Sequence, residues 1–572
     1  MNNSRSNLWK PVEGKIMTRW AKDVTENPLS EYPRPQLKRN KWKNLNGLWD
    51  YAIRPKTNKL IDIFDGKILV PFPIEAALSG VKKKLMPSKR LWYRRYFTIP
   101  ESWKDKDLLL HFGGVDWETT IWVNGKEIGS HKGGYVPFYF EISEYIQEGE
   151  NELIVAVWDP TNYERGKQTL RPFLIYYTAV SGIWQTVWLE PVFKTHISSL
   201  QMVPNIDEKS LELKVNINNI ESNDIINVEV KDNGNNIITT SGKSTIFNLD
   251  ITNPKLWSPD SPFLYDIIIN ITRNGEIIDE VESYCGMRKI EVGKDKDGIP
   301  RILLNNKQIF QYGTLDQGYW PDGLYTAPTD EALKFDIEIT KEIGFNMIRK
   351  HVKVEPARWY YYCDKLGILV WQDMPNGGNW IIFGRGKKSR IYYFNELKAM
   401  ISSLYNYPSI IVWVPFNEGW GQFKTSETVE IINNIDNTRL IDAASGWFDK
   451  KVGDIKDIHK YPGPRIPKIE EERAAVLGEF GGLGFEIKDH IWKKSKLNWS
   501  YKKSSNQEKL TRKYDKLITK LKPLIKEGLC AAIYTQTTDV EAEVNGLLTY
   551  DREIIKIDKE KLKEINSIPF DS

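Results

Sequence analysis

Up to about Pro191 the apolar residues come in short runs punctuated by proline and glycine. ILVPFPIEAAL, LWYRRYFTIP, ELIVAVWD and GIWQTVWLE read as strands rich in Val, Ile and Trp. In TTIWVNGKEIGSH, Asn124-Gly125 separates two strand-like segments and predicts a tight hairpin, because both residues tolerate positive φ. Many short strands at even spacing predict a jelly-roll-like β-sandwich over residues 1–192. Between 193 and 292 the alternation is cleaner. Leu211, Leu213, Val215 and Ile217 of LELKVNI alternate with polar residues, the period of a half-buried strand. Val228-Glu229-Val230 and a second hairpin at Asn274-Gly275 continue the pattern. About a hundred residues of this kind fit an immunoglobulin-like sandwich.

After YCGMRKIEV the rhythm changes to strands alternating with helices. IFQYGT, NMIRK, ILVWQD, IIVWVP, LIDAAS, KDIHKYP, AAVLGE and AAIYTQ are the strand candidates. The helices between them include TDEALKFDIEITKEIG, capped by Thr329 or Asp330 and followed by Gly344, and PARWYYYCDKLG from Pro356 to Gly367. Others are IYYFNELKAMISSLY, Ser426 to Ile435, and Leu510 to Lys526, where Leu510, Tyr514, Leu517, Ile518, Leu521 and Ile525 share one face. This alternation predicts a (β/α)8 TIM barrel over 293–572, completing a multidomain chain of two β-sandwiches and one α/β domain.

At 572 residues the chain is too long for one core and suggests three or four domains. Its 80 Lys and Arg nearly balance 76 Asp and Glu, and a net charge of +4 gives no electrostatic case for nucleic acid or an anionic membrane as partner. Cys285, Cys363 and Cys530 are scattered, forming neither a disulfide framework nor a zinc site, which points to a reducing compartment. The N-terminus lacks an apolar core and no stretch approaches the ~18 apolar residues of a membrane span, so a cytoplasmic location is expected.

Residues just past each barrel strand converge on one rim. Here they are Asp316, Gln317, Arg349, His351, Glu355, Gln372, Asp373, Asn417, Glu418, Ser445, Trp447, His459, Tyr461, Glu479, Gln536, Asp539 and Asn545. Glu418 and Glu479 stand out. Each follows a hydrophobic strand and sits among aromatics and glycines, and two such carboxyls are the minimum equipment for glycoside hydrolysis. Glu418, between Phe416 and Trp420, suits the proton donor, since apolar neighbours and a like charge raise a carboxyl pKa. Asn417 is placed to bond a sugar hydroxyl beside the reacting carbon. Purely structural roles compete: a charge near a helix N-cap for Glu418, and a salt bridge to Arg349 for Glu479. His351 and His459 divide evenly between sugar ligands and satisfied core histidines. The six histidines form no HxxxH or HxH pair, and no GxSxG, GxxxxGK[ST] or strand-associated GxGxxG occurs, so neither metal nor cofactor is expected.

FNEGW around Glu418 and GEFGG around Glu479 resemble the acid/base and nucleophile motifs of glycoside hydrolase family 2, the group of β-galactosidases, β-glucuronidases and β-mannosidases. The likeness extends over nearly the whole chain. NLNGLWDYAI, WYRRYF, HFGGVDWETTIWVNGKEIGSHKGGYVPFYFEI and SGIWQTVWLE are similar to its sugar-binding sandwich, YCGMRKIEV to the strand entering its barrel, and IGFNMIRKH to its second barrel strand. The resemblance implies a retaining exo-β-glycosidase acting on a carbohydrate, with Glu418 as acid/base and Glu479 as nucleophile. It also implies sugar contacts from Asn417, His351 and Tyr461, and a possible homo-oligomer. Asp316, Asp373, Trp447, His459, Gln536 and Asn545 complete the candidate sugar-binding set.

Substrate class rests on departures from the family pattern. β-Glucuronidases of the family carry an Asn-x-Lys pair whose lysine meets the sugar carboxylate; here EVNG puts Glu543 and Asn545 in those places. A glutamate would repel a uronate. VNGLLTYDR is more similar to the β-galactosidase pattern, although Gln536 stands where galactosidases place a tryptophan. YGTLDQGYW lacks the histidine-rich segment of the metal-dependent galactosidases, so no Mg²⁺ site is implied. A neutral glycone is expected, galactose first, with arabinopyranose or mannose behind. β-Glucuronidase is the alternative activity, and a non-catalytic carbohydrate-binding protein the alternative class.

Overall fold

The computed structural model describes residues 9–161, 165–377, 385–495 and 497–567. Residues 1–8, part of the stretch read above for a targeting segment, lie outside that set. Among the described residues no helix is long and apolar enough to cross a membrane.

The N-terminal unit is a β-sandwich. A six-stranded sheet runs Gly66–Val70, Gly47–Pro55, Lys89–Thr98, Glu150–Trp158, Glu118–Val123, Lys126–Lys132, and a four-stranded sheet runs Lys43–Asn44, Val187–Val192, Asp107–Phe112, Phe138–Glu141. Inward residues of both, among them Trp49, Tyr93, Val155, Leu110 and Phe112, form one apolar cluster. The predicted hairpin turn is present, with Asn124 at φ +49° and Gly125 at +76°. The second unit pairs a three-stranded with a four-stranded sheet, and Leu211, Leu213, Val215, Val228 and Val230 face inward as their alternation requires.

The third unit is a parallel barrel of eight strands. They are β1 (Gln311–Asp316), β2 (Met347–Lys350), β3 (Leu369–Asp373), β4 (Ile410–Val414), β5 (Leu440–Ile441), β6 (Ile455–Lys460), β7 (Ala474–Gly481) and β8 (Leu529–Thr535). Hydrogen bonding runs in the order β5-β4-β3-β2-β1-β8-β7-β6, leaving the ring open only between β5 and β6. The α1 helix (Asp330–Glu342) begins as predicted, the Thr329 hydroxyl accepting from Ala332 N. The α2 helix (Ala357–Leu366) ends on Gly367 at φ +71°.

Two local expectations are corrected. The helix expected from Leu510 to Lys526 is broken into α3 (Gln507–Thr519) and α4 (Leu521–Glu527) at Lys520. Pro523 has no N–H to offer Thr519 O, and its ring crowds that carbonyl. The strand around AAVLGE does not stop before Gly478 but runs on to Gly481. Its register slips against both neighbours at Leu477–Phe480, the mark of a bulge. Gly478 makes the bulge possible: its N–H donates to Asp457 Oδ1 at 2.6 Å, and a β-carbon there would lie 2.0 Å from Asp457 Oδ2. Glu479 is therefore carried within a strand, not on a loop.

Candidate active site

Beyond β4, Pro415 interrupts the ladder, and Phe416 to Glu418 follow the rim, pinned by Ser445 N to Phe416 O and Glu418 N to Ser445 O, both 2.9 Å. Glu418 holds φ +49°, a left-handed conformation a glutamate adopts only when its surroundings impose it. Across the mouth, the Glu479 carboxylate rises from the bulge in β7. One oxygen of each carboxylate and a ring nitrogen of His459 lie within 4.8 Å of one another. Retaining glycosidases hold their carboxyls about 5–5.5 Å apart, and inverting ones leave roughly 6.5–9.5 Å for a water. The pair belongs to the first geometry.

His459, on β6, joins the two. Its Nδ1 stands 2.8 Å from Glu418 Oε1 and 3.6 Å from Glu479 Oε2, while Nε2 is 2.9 Å from Ser445 Oγ and 3.7 Å from Asp457. Burial alone would lower its pKa, but the Glu479 charge and the bonds to Asp457 and Glu418 raise it to about 10. It is an imidazolium at neutral pH, engaged on both nitrogens. Glu418, His459 and Glu479 are also the right kinds of ligand for a metal ion. A cation held through His459 Nδ1 would displace the bond from that nitrogen to Glu418.

Glu479 Oε2 accepts from the Tyr461 hydroxyl at 2.5 Å, and that hydroxyl lies 2.7 Å from Thr535 Oγ1. Oε1 has no hydrogen-bond partner; it faces Arg349 Nη1 at 3.6 Å and His351 Nε2 at 3.7 Å. Burial raises the Glu479 pKa, as does the Glu418 charge; His459, Arg349 and Tyr461 pull it back. The salt bridge considered for Glu479 thus exists, but as a flank of the site. Arg349 itself is gripped by Asp373 at 3.0 and 3.1 Å, and it donates to Asn417 Oδ1 at 2.8 Å and to Gly478 O at 3.2 Å. One guanidinium therefore registers β2, β3, β4 and β7. Asp373 thus positions Arg349, and its Oδ2 also lies 4.0 Å from His351 Nε2. Asn417 is left with an unpartnered Nδ2.

His351 separates from His459 in character. Its Nδ1 donates to Gln317 Oε1 at 3.0 Å, and its Nε2 has no partner. Burial first, then the charges of Lys167 and Arg349, hold it well below its ordinary pKa, so it is neutral with Nε2 as an acceptor. Behind it runs an amide chain. Gln317 donates to Gln536 at 2.7 Å, Gln536 to Asn545 at 2.9 Å, and Asn545 to Glu543 at 3.0 Å. Gln536 and Asn545 thus fix the His351 tautomer from behind. Asp316 is drawn elsewhere, bonded to Lys350 at 2.5 Å and to Gly318 N, in an ion cluster with Glu355. Lys350 alternates with Arg349 along β2 and so points to the opposite side. Trp447 is 46% exposed on the rim next to Phe448, whose ring abuts Gly419.

The rim rule could not reach groups supplied by the N-terminal sandwich. Its loop around Gly166 enters the barrel mouth, where a β-carbon on Gly166 would lie 2.5 Å from Val352 O. Lys167 comes with it, and Tyr176 stacks on Trp420 with ring centres 5.8 Å apart. Tyr501, from the segment after β7, stacks on Tyr461 at 3.5 Å. No strand-end pattern marks these three, because they enter only through domain packing and a long excursion.

Three models of glycosyl hydrolases family 2 match the chain in succession: the sugar binding domain over residues 64–191, the family's central model over 195–288, and the TIM barrel domain over 300–478. A putative β-glucuronidase of Formosa agariphila is 30% identical over 57% of this chain and 39% of its own length. A β-galactosidase of Thermoanaerobacter pseudethanolicus is 30% identical over 61% of this chain and 47% of its own. The chain thus matches less than half the length of these curated relatives. Among solved structures, a β-D-glucuronidase from Dictyoglomus thermophilum superposes with a TM-score of 0.74 at 19% identity, covering 94% of this chain and 99% of that one. The Ruminococcus gnavus β-glucuronidase does so at 0.76 and 19%, covering 94% and 100%. At that identity the likeness speaks for the fold.

Proposed function

The chain belongs to glycosyl hydrolase family 2, and from that footing we propose that it is a retaining exo-β-glycosidase for a terminal neutral sugar of the β-galactoside type. The observation that carries this reading is the carboxylate pair, oxygens within 4.8 Å, in a buried pocket. Glu479 is the nucleophile. Its Oε1 is the oxygen left free for attack, while Tyr461 holds Oε2. Glu418, with 14% of its side chain exposed against 6% for Glu479, stands nearer the mouth by which an aglycone leaves.

In the first half-reaction Glu479 Oε1 bonds to the anomeric carbon as the glycosidic C–O bond breaks, and Glu418 passes its proton to the departing oxygen. In the second, water gives a proton to Glu418 and its oxygen displaces Glu479, so configuration is retained overall. The Asn417 Nδ2 and His351 Nε2 atoms, one donor and one acceptor without internal partners, are the groups offered to ring hydroxyls.

Two features support a neutral glycone: Glu543 in place of a cation, and the amide chain that ends on it. The relatives include proteins named for β-galactosidase and for β-glucuronidase activity, and the latter is the second reading. A panel of nitrophenyl β-glycosides tests both. The galactoside should be cleaved fastest, with arabinopyranoside or mannoside next. Faster cleavage of the glucuronide would overturn the substrate, and binding without any cleavage would overturn the enzyme.

A further inference from the structure

Lys167 is an unusual lysine. Its side chain is 7% exposed, and among the described residues its ammonium makes no hydrogen bond. Its nearest anion is Glu543 Oε2 at 3.9 Å, beyond hydrogen-bond reach. That carboxylate is already occupied, Oε1 accepting from Asn545 and Oε2 from the Tyr177 hydroxyl. Apart from Glu543 and the Tyr177 ring, whose centre is 5.4 Å away, the ammonium has no partner among the described residues, so its donors are available to a ligand. Its position says which ligand. Lys167 is the strongest charged influence on His351, whose free Nε2 faces the nucleophile. Gly166, just before it, sits against Val352 O beside His351, and Glu543 heads the hydrogen-bonded chain through Asn545, Gln536 and Gln317 to His351, so Lys167 borders the space the terminal sugar must fill.

The lysine is also held in place. Tyr177 N donates to Lys167 O at 3.0 Å, and the adjoining Gln168 bonds Asp116, Tyr135 and Val180 N at 2.9, 3.1 and 2.6 Å. We infer that Lys167, delivered by the N-terminal sandwich, is a specificity-determining residue that donates hydrogen bonds to hydroxyls of the terminal sugar, with Glu543 as its fixed counter-charge. The wall is then polar but close to neutral, which selects hydroxyls over a carboxylate. The inference rests on the neutral-glycone reading above.

Full-length Lys167→Met, Lys167→Arg and Glu543→Gln proteins test it, with nitrophenyl β-galactoside and β-glucuronide as probes. Lys167→Met should raise KM for the galactoside at least tenfold while kcat changes less than threefold, and Lys167→Arg should recover part of the loss. Lys167→Met leaves the buried Glu543 without its counter-charge and should lower the Tm; a Lys167→Met/Glu543→Gln double variant that regains both the wild-type Tm and the wild-type galactoside KM would mark a purely structural ion pair and overturn the inference. Glu543→Gln exposes the lysine charge and should shift the kcat/KM ratio toward the glucuronide at least tenfold. An unchanged KM in Lys167→Met, or an unchanged ratio in Glu543→Gln, would also overturn it. Wild-type preference for the glucuronide would instead sink the neutral-glycone reading, and would show itself before any variant is made.

Discussion

Replacing Glu418 by alanine removes one proton carrier and little else. Its carboxylate makes a single internal hydrogen bond, to His459 at 2.8 Å. His459 keeps Glu479, Asp457 and Ser445 around it, so it stays charged and in place. A hydrogen bond between charged groups is worth about 1.5–3 kcal/mol, which bounds the loss of stability. The catalytic loss is larger: proton donation is worth about 10²–10⁴ in rate, or roughly 3–5 kcal/mol of barrier. It should fall unevenly. Substrates with alkyl or sugar leaving groups should slow by about 10²–10⁴, while a dinitrophenyl glycoside, whose leaving group needs no proton, should form the glycosyl-enzyme at near wild-type rate. The second half-reaction also lacks its base, so a pre-steady-state burst should appear, and azide should relieve it. Glu418→Gly serves as a control. Relief of the residue at φ +49° should make it about 1 kcal/mol more stable than Glu418→Ala, with the same leaving-group dependence. A uniform loss across leaving groups, measured as kcat/KM, would refute the acid/base role. Glu479→Gln, in contrast, should abolish turnover for every leaving group.

Tyr461→Phe removes the 2.5 Å donor to Glu479 Oε2. At about 1.5–3 kcal/mol the expected fall in kcat/KM is roughly 10- to 150-fold. Because that bond lowers the Glu479 pKa, the acid limb of the pH profile should move upward; an unmoved limb would show that the hydroxyl does not touch the reacting carboxylate. His459 makes a pH-dependent contribution to stability. Its folded pKa of about 10 lies above the ordinary 6.5, so the contribution is complete below pH 6.5 and is lost as pH rises toward 10. Denaturant melts should find His459→Gln destabilised by a few kcal/mol at pH 6.5 and less so at pH 9.5, and a constant difference would contradict an imidazolium at this position.

Much of this architecture was legible in the chain itself, for local reasons. Asn124-Gly125 and Asn274-Gly275 declare their turns through tolerance of positive φ, and Leu211 to Ile217 declare a strand through a period of two. The barrel strands ILVWQD, IIVWVP and AAIYTQ announce themselves as buried apolar runs, and Glu418 and Glu479 stand where such runs end. Strand-end position alone did not sort the rim. Asp373 and Asp316 satisfy the same rule as Asn417, yet Asp373 grips Arg349 and Asp316 pairs with Lys350, because adjacent residues of β2 point to opposite sides.

Tertiary structure alone decided how close the two carboxylates stand, which histidine is charged, and what closes the pocket. The bulge at Gly478, which aims Glu479 inward, depends on Asp457 in the neighbouring strand, and the charge on His459 depends on three acids from separate strands and loops. Lys167 reaches the mouth only because a separate domain docks there. Periodicity and motif spacing are properties of nearest neighbours along the chain. Charge states and pocket walls are set by groups from different strands and domains, mostly tens to hundreds of residues apart, whose interaction through a poorly screening interior exists only once the chain has packed.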